Sequence, residues 1–462
     1  MPMQKFQSQV EINSSAESVF RWHDNPGAFE RLMPPWEPVE ILERDEGITN
    51  GTRIKFNIPL PFTKWTWVAE HQNYEAGKQF EDVQLDGPFK SWRHRHEFEM
   101  INTEVSRLID TIQYQIPYPP IGKWIVGRML RNKLKRMFRY RHALTKADCE
   151  MHAAYQNQPR LKVLMTGGTG LVGRALTAML TTGGHQVTVL TRNRNLAGEQ
   201  GSARFWDPSA GELNRYDLEQ QDVIIHLSGE NIAGQCWTPE FKERIRDSRV
   251  QSTKLLSAVI PTLTHKPKLF LSASAVGFYG NRGEEMLTEK NGPGEGFLPR
   301  ICQEWEEAAA PIRQAGIRTV HARLGTVITP LGGALQKMLL PFRLGGGGPV
   351  GNGKQFWSCI SLDDTIASLH HIMQTDTIEG PVNLTCPNPI PMKEFAAQLG
   401  RVLSRPAFVP LPKFAVGLML GEMGTTLLCD STRAFPTVLE QTGYQFRHPS
   451  VEQMIRFSLG RG

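Results

Sequence analysis

The sequence has no long uninterrupted apolar run, few cysteines and little net charge, and each shortage removes a class of protein. Its most apolar late stretch, "FAVGLMLGEMGTTLLC" at 414–429, is broken by Glu422 and falls short of the ~20 residues that span a bilayer. The opening "MPMQKFQSQVEINSS" lacks the apolar core of a secretory signal, so export is not expected. Six cysteines, at 149, 236, 302, 359, 386 and 429, are scattered without a CxxC or Cys/His grouping. Neither a disulfide scaffold nor a metal site is expected, and a reducing cytoplasmic setting fits. A formal charge of +6 is too small to imply nucleic acid by itself.

One segment departs from that even balance. Residues 123–142 carry eight Lys/Arg and no acid, with Ile125, Met129, Leu130, Leu134, Met137 and Phe138 recurring at helical spacing. This reads as a helix with one face on a sheet and a solvated basic face. Peripheral contact with an anionic membrane surface is the alternative, and no second basic element supports nucleic acid.

At 462 residues the chain exceeds a single core, so two or three domains are expected. The boundary lies in "CEMHAAYQNQPRLKVLMTGGTG", where a polar helical tail passes into an apolar strand. This sets a first domain over 1–150, a linker over 151–160 and a second domain over 161–462. A substrate-side cap is expected from about 333. The first domain alternates apolar and polar residues in successive segments, as in "KWTWVAEHQNYE" and "SWRHRHEFEMIN", before the helix. An antiparallel sheet over one long helix is an α+β arrangement that leaves room for a small or lipid-like ligand.

The second domain alternates strands and helices, which predicts an α/β, doubly wound parallel sheet. "VLMTGGTGLVGRAL" is its strongest signal. Gly167 allows a tight turn, Gly170 a close approach to pyrophosphate and Gly173 close helix–strand packing, as in a Rossmann-like dinucleotide site. Gly168, Thr169, Leu171 and Val172 complete the loop and first helical turn, whose free amides favour phosphate. The second strand ends in Thr191, Arg192, Asn193 and Arg194 rather than in the acid that would hold an NAD ribose. Arg192 and Arg194 fit a 2′-phosphate, so NADP(H) is favoured over NAD(H). Ser228, Gly229 and Glu230 form the loop above another strand, and their backbone is expected to line the nicotinamide ribose, with Leu227 also expected at the cofactor.

"TGGTGLVG", "HLSGENIAG", "SASAVGFYG", "FLPRICQEWEEAA", "RLGTVITPLGGAL" and "LGEMGTTLLCDSTRAFPTVLEQTGYQF" occur in order. Together they resemble the extended short-chain dehydrogenase/reductases, in particular epimerase-family proteins with a C-terminal extension of unknown function, over about 161–459. The N-terminal segment order resembles helix-grip, START-like domains of lipid transport and polyketide cyclisation. The first resemblance implies a serine, here Ser274, working with a tyrosine and a lysine four residues later. Here those two positions fall on Leu298 and Cys302, neither of which can do that work. Tyr279 is the remaining candidate for proton transfer, against a role in shaping the site. Arg323 is expected to hold an anionic group, either of a substrate or of a residue such as Asp363.

Two readings follow. One is an atypical NADP(H)-binding oxidoreductase-like protein acting on a small or apolar carbonyl or alcohol near Ser274. The other is a non-catalytic, dinucleotide-dependent sensor or scaffold with a lipid-like ligand domain.

Overall fold

The computed structural model describes residues 3–37, 39–59, 63–116, 123–198 and 202–461, with the backbone alone for 123–125. The chain divides into two compact units, one of residues 1–159 with 178–184, the other of 160–177 with 185–462.

The first unit begins with β1 (Gln4–Ile12), α1 (Ala16–Asp24) and α2 (Ala28–Leu32). Then come β2 (Glu40–Arg44), β3 (Arg53–Pro59), β4 (Lys64–Glu75), β5 (Gln79–Asp86), β6 (Ser91–Met100), β7 (Ser106–Gln115) and α3 (Lys123–Ala154). The strands form one antiparallel sheet in the order β1-β7-β6-β5-β4-β3-β2, so the last strand closes back onto the first. Ser15 caps α1 by accepting from the Ser18 amide, which satisfies one of the helix's free donors. Leu134 and Phe138 of α3 are buried against Phe6, Ile112 and Tyr114 of the sheet. Ile125, expected in the same stripe, lies outside the described side chains. Helix α3 runs to Ala154, four residues into the expected linker, because no proline or glycine interrupts "TKADCEMHAA". Sheet and helix enclose a cavity of about 1220 Å³, walled by side chains such as Phe56, Trp67, Phe80 and Leu130.

The second unit starts with β8 (Lys162–Thr166), α4 (Leu171–Thr182, whose residues from 178 on group with the first unit), β9 (Gln186–Thr191), β10 (Ala203–Asp207), β11 (Glu212–Leu213) and β12 (Val223–His226). It continues with α5 (Pro239–Val259), β13 (Leu269–Ala275), β14 (Met286–Leu287), α6 (Phe297–Glu307), α7 (Ala310–Gln314) and β15 (Arg318–Leu324). Next are β16 (Thr326–Ile328), α8 (Gly333–Arg343), β17 (Phe356–Trp357), β18 (Cys359–Ser361), α9 (Leu362–Gln374) and β19 (Gly380–Leu384). The end comprises β20 (Ile390–Pro391), α10 (Met392–Leu403), α11 (Lys413–Cys429), β21 (Arg433–Ala434), α12 (Thr437–Gln441) and α13 (Val451–Ser458).

The main sheet runs β11-β10-β9-β8-β12-β13-β15-β19, parallel except at β11. This is the doubly wound, Rossmann-like order, and it reverses direction between β8 and β12. Its central strands are buried on both faces, as expected of the consecutive apolar residues at Val163–Met165, Val223–Ile225 and Leu269–Leu271. The outer strands β10 and β19 escape the sequence reading because "ARFWD" and "GPVNL" are short and lack a clear period. Beyond β16 the chain builds a second core from α8, α10 and α13 around Phe342, Phe395 and Met454. Helix α11 is kinked at Gly421, where φ is 60°. Among the described residues, no helix is long and apolar enough to cross a membrane.

Candidate functional site

Ligands of such sheets bind outside the strand ends where the winding reverses, here the loops after β8 and β12. Those loops interlock through missing side chains. Gly167 adopts φ +72°, and a Cβ on it would fall 2.7 Å from the Leu227 carbonyl. A Cβ on Gly173 would fall 2.2 Å from the Gly167 carbonyl oxygen, and one on Gly168 would meet Val189 at 2.7 Å. Gly170 differs, because its nearest neighbour would be the Gly167 oxygen at 3.2 Å and the residue is exposed. Thr169 is exposed beside it, while Leu171 and Val172 are half-buried in the first turn of α4. The amides of that turn have no helical acceptor and face the space before the helix.

Under the loops, Thr166 ties the strands together. Its hydroxyl lies 2.7 Å from His226 Nδ1 and accepts the Ser228 amide at 3.3 Å. His226 is fully buried, with Ser252 Oγ 3.1 Å from its other nitrogen. Burial lowers its pKa to about 3, so it is a neutral packing group at neutral pH. Arg249 on α5 donates to the Glu230 carbonyl at 2.9 Å and packs under Gly229, fixing the loop that holds Leu227 and Ser228. Nothing in "RIRDSRV" distinguishes this arginine from its solvated neighbours, so sequence reasoning missed it.

Beside β9, Thr191 is buried and caps the following turn by accepting from the Asn193 amide. Arg192 is exposed at the strand end. Arg194 is also exposed but engaged, 3.1 Å from Glu212 and with its guanidinium 3.6 Å from the Phe205 ring centroid. The two arginines thus have different surroundings.

At the ends of β13 and β15 lies a buried polar cluster. Ser274 and Arg323 are partners in the parallel register. Ser274 Oγ donates to Glu306 Oε1 at 2.7 Å, and Arg323 donates to both carboxylate oxygens, at 2.9 and 2.8 Å. Arg323 is only 3% exposed, so this charge needs its partner. The partner is Glu306 of α6, not Asp363. The Arg323 guanidinium also stacks on Phe278 at 3.5 Å and donates to Tyr279 Oη at 3.0 Å.

Tyr279 itself is completely buried, with its hydroxyl 2.8 Å from Asn383 Oδ1 and 3.0 Å from the Thr288 carbonyl. Burial raises its pKa. Leu298 abuts the position a Gly277 side chain would take, and Cys302 is buried with its thiol pushed up to about 12 by desolvation. Asp364 belongs elsewhere. It accepts from the Ser361 hydroxyl, the Tyr444 hydroxyl and the amides of Arg447 and His448, pinning the C-terminal loop to the start of α9.

Family models match three stretches. Residues 163–384 match the NAD dependent epimerase/dehydratase family, 12–139 match polyketide cyclase/dehydrase and lipid transport, and 411–457 match a domain of unknown function. An epimerase family protein of Mycobacterium bovis is 37% identical over 65% of this chain and 98% of its own length. A human epimerase family protein is 34% identical over 64% of this chain and 99% of its own length. A Corynebacterium glutamicum crystal structure described as a nucleoside-diphosphate sugar epimerase has 31% identity and a TM-score of 0.80. That likeness covers 98% of this chain and 90% of the other. A structure of human epimerase family protein SDR39U1 with NADPH has 31% identity and a TM-score of 0.59, over 65% of this chain and 99% of that one.

Proposed function

The chain belongs to the NAD dependent epimerase/dehydratase family, and from that premise we propose that it is an NADP(H)-binding oxidoreductase-like protein. Its nucleotide lies on Gly167–Gly173, its ribose on Leu227, Ser228 and Gly229, and its 2′-phosphate on Arg192. Arg192 supports the phosphate assignment because it is exposed at the strand end, whereas Arg194 is already paired and stacked. A human relative whose structure was solved with NADPH supports NADP(H) as the nucleotide. When bound, the nicotinamide supplies or accepts the hydride.

Ser274 carries the reading of the reaction centre. Ser274 is only 2% exposed, and its hydroxyl, which donates to Glu306, keeps lone pairs that can accept from the hydroxyl of an alcohol substrate reaching the strand end. Proton flow from that hydroxyl to Ser274, with the serine's own proton passing to Glu306, replaces the absent Tyr–Lys pair. Arg323 fixes the carboxylate for this task. Tyr279 is a strut in this scheme, because its hydroxyl is enclosed and satisfied. The substrate is a small or apolar alcohol or carbonyl compound.

The test is deuterium transfer between 4-deuterated NADPH and a panel of carbonyl compounds, followed by mass spectrometry. Transfer that drops at least tenfold in Ser274→Ala, with unchanged NADPH affinity, is expected. NADPH binding without any transfer would favour the non-catalytic sensor, for which the half-buried Leu298 and the buried Cys302 already speak.

A further inference from the structure

The cavity of the first unit has a polar floor that the nucleotide site does not use. Antiparallel register lays it out across four strands. His71 of β4 pairs with Asp82 of β5, Asp82 pairs with His94 of β6, and His96 of β6 pairs with Asp110 of β7. Directly opposed residues share a sheet face, and so do residues two apart on one strand. The stretch "SWRHRHEFEM" therefore turns both of its imidazoles to the inner face, toward one carboxylate.

The three side chains stand close enough for one donor atom of each to share an ion. Asp82 Oδ2 is 3.6 Å from His94 Nδ1 and 3.3 Å from His96 Nε2, and one donor atom from each residue lies within 4.8 Å of the others. An ion about 2.0–2.2 Å from each donor would hold tetrahedral donors roughly 3.4 Å apart. The opposite nitrogens of the two rings both turn to Asp110 Oδ1, His94 Nε2 at 2.9 Å and His96 Nδ1 at 2.7 Å. His142 Nε2 lies 2.6 Å from the other Asp110 oxygen, and His71 Nε2 lies 3.0 Å from Asp82 Oδ1. A carboxylate behind each metal-bound imidazole is the outer-shell pattern that fixes the tautomer and the ring angle. Here one buried aspartate stands behind both rings, hydrogen-bonded to His94 Nε2 and 2.7 Å from His96 Nδ1 without hydrogen-bond alignment.

We propose that Asp82, His94 and His96 bind a divalent first-row metal ion of the zinc type, with Asp110 and His71 as positioning residues. Two imidazoles and one carboxylate are a borderline-soft donor set suited to such ions and unsuited to magnesium or calcium. All three ligands line the cavity, so the position they leave open faces its apolar interior. Three protein ligands with one open position is the pattern of a reactive rather than a purely structural ion. The molecule it would hold is elongated and apolar and ends in an oxygen donor. This inference is independent of the nucleotide site.

The experiment uses the full chain, stripped with a chelator and titrated with Co²⁺, whose visible absorption reports on coordination. One equivalent bound with four- or five-coordinate bands, and a further band shift on adding octanohydroxamate, is the expected result. Octanohydroxamate joins an apolar chain to an oxygen head. Asp82→Asn, His94→Gln and His96→Gln should each weaken binding at least tenfold, while His23→Gln, in the same cavity, should not. Circular dichroism identifies variants that fail to fold, and for those X-ray absorption of the cobalt-loaded wild type must show two imidazoles. Three results would each overturn the assignment: folded wild type that binds no Co²⁺ or Zn²⁺, binding that survives in folded His94→Gln and His96→Gln, or a cobalt shell without two imidazoles. Bands that ignore octanohydroxamate would refute the open position.

Discussion

Adding one methyl group at Gly173 and at Gly170 separates the loop's folding role from its binding role. In Gly173→Ala the new Cβ would stand 2.2 Å from the Gly167 oxygen and 2.7 Å from the Gly168 Cα. Both are backbone atoms, so the loop or the helix must move by about 1 Å to restore ordinary contact. Within a helix alanine would otherwise gain up to about 1 kcal/mol over glycine. Overpacking of this kind costs about 1–3 kcal/mol, so a net loss of stability is expected, together with at least tenfold weaker NADPH binding. In Gly170→Ala the single close neighbour is the Gly167 oxygen at 3.2 Å, and the residue's φ lies outside the left-handed region. Its folding stability should stay within about 0.5 kcal/mol of wild type, as at an ordinary surface position. NADPH binding should still fall at least tenfold, because the methyl occupies the approach of the pyrophosphate. Urea denaturation without ligand and a fluorescence titration with NADPH measure the two quantities. Wild-type NADPH affinity in Gly170→Ala, or unchanged stability and affinity in Gly173→Ala, would refute the reasoning.

Three further outcomes are expected. Arg192→Asp should weaken NADPH far more than NADH in parallel titrations, and equal losses would reject the 2′-phosphate assignment. Glu306→Ala strands the Arg323 charge, which should cost about 3–5 kcal/mol in urea denaturation, and the double variant with Arg323→Ala should cost less than the sum of the two singles. His226 has its folded pKa lowered from 6.5 to about 3, so below pH 6.5 the unfolded chain takes up a proton that the folded chain refuses. Its contribution is complete above pH 6.5 and fades at up to about 1.4 kcal/mol per pH unit as the pH falls toward 3. His226→Gln should therefore show a shallower loss of stability between pH 6 and 4, and identical slopes would contradict the burial argument.

Local chemistry made the α/β order and the glycine loop readable in the sequence. Strands β8, β12 and β13 carry the apolar runs Val163–Met165, Val223–Ile225 and Leu269–Leu271, and Gly167 and Gly173 stand where backbone must meet backbone. Long-range pairing was not readable. Glu306 looks like one of several solvated helix acids in "EWEEAAA", and only the fold brings it to Ser274 and Arg323. Arg323 accordingly looked free to meet Asp363, which lies elsewhere in sequence and carries no local mark of its partner. The histidine cluster of the first unit was hidden for the same reason. His94-x-His96 is visible as a strand pattern, but Asp82 and Asp110 reach it through cross-strand register. A search limited to cysteine-based motifs passes over such a set.

The most direct test of the central claim is a crystal structure of the full chain with NADPH. The pyrophosphate should lie on the Gly167–Gly173 loop and the 2′-phosphate on Arg192. The nicotinamide should lie beside Ser274, with room for a substrate oxygen about 2.6–3.2 Å from its hydroxyl. A nicotinamide ring turned away from Ser274, or a 2′-phosphate without an arginine partner, would contradict it.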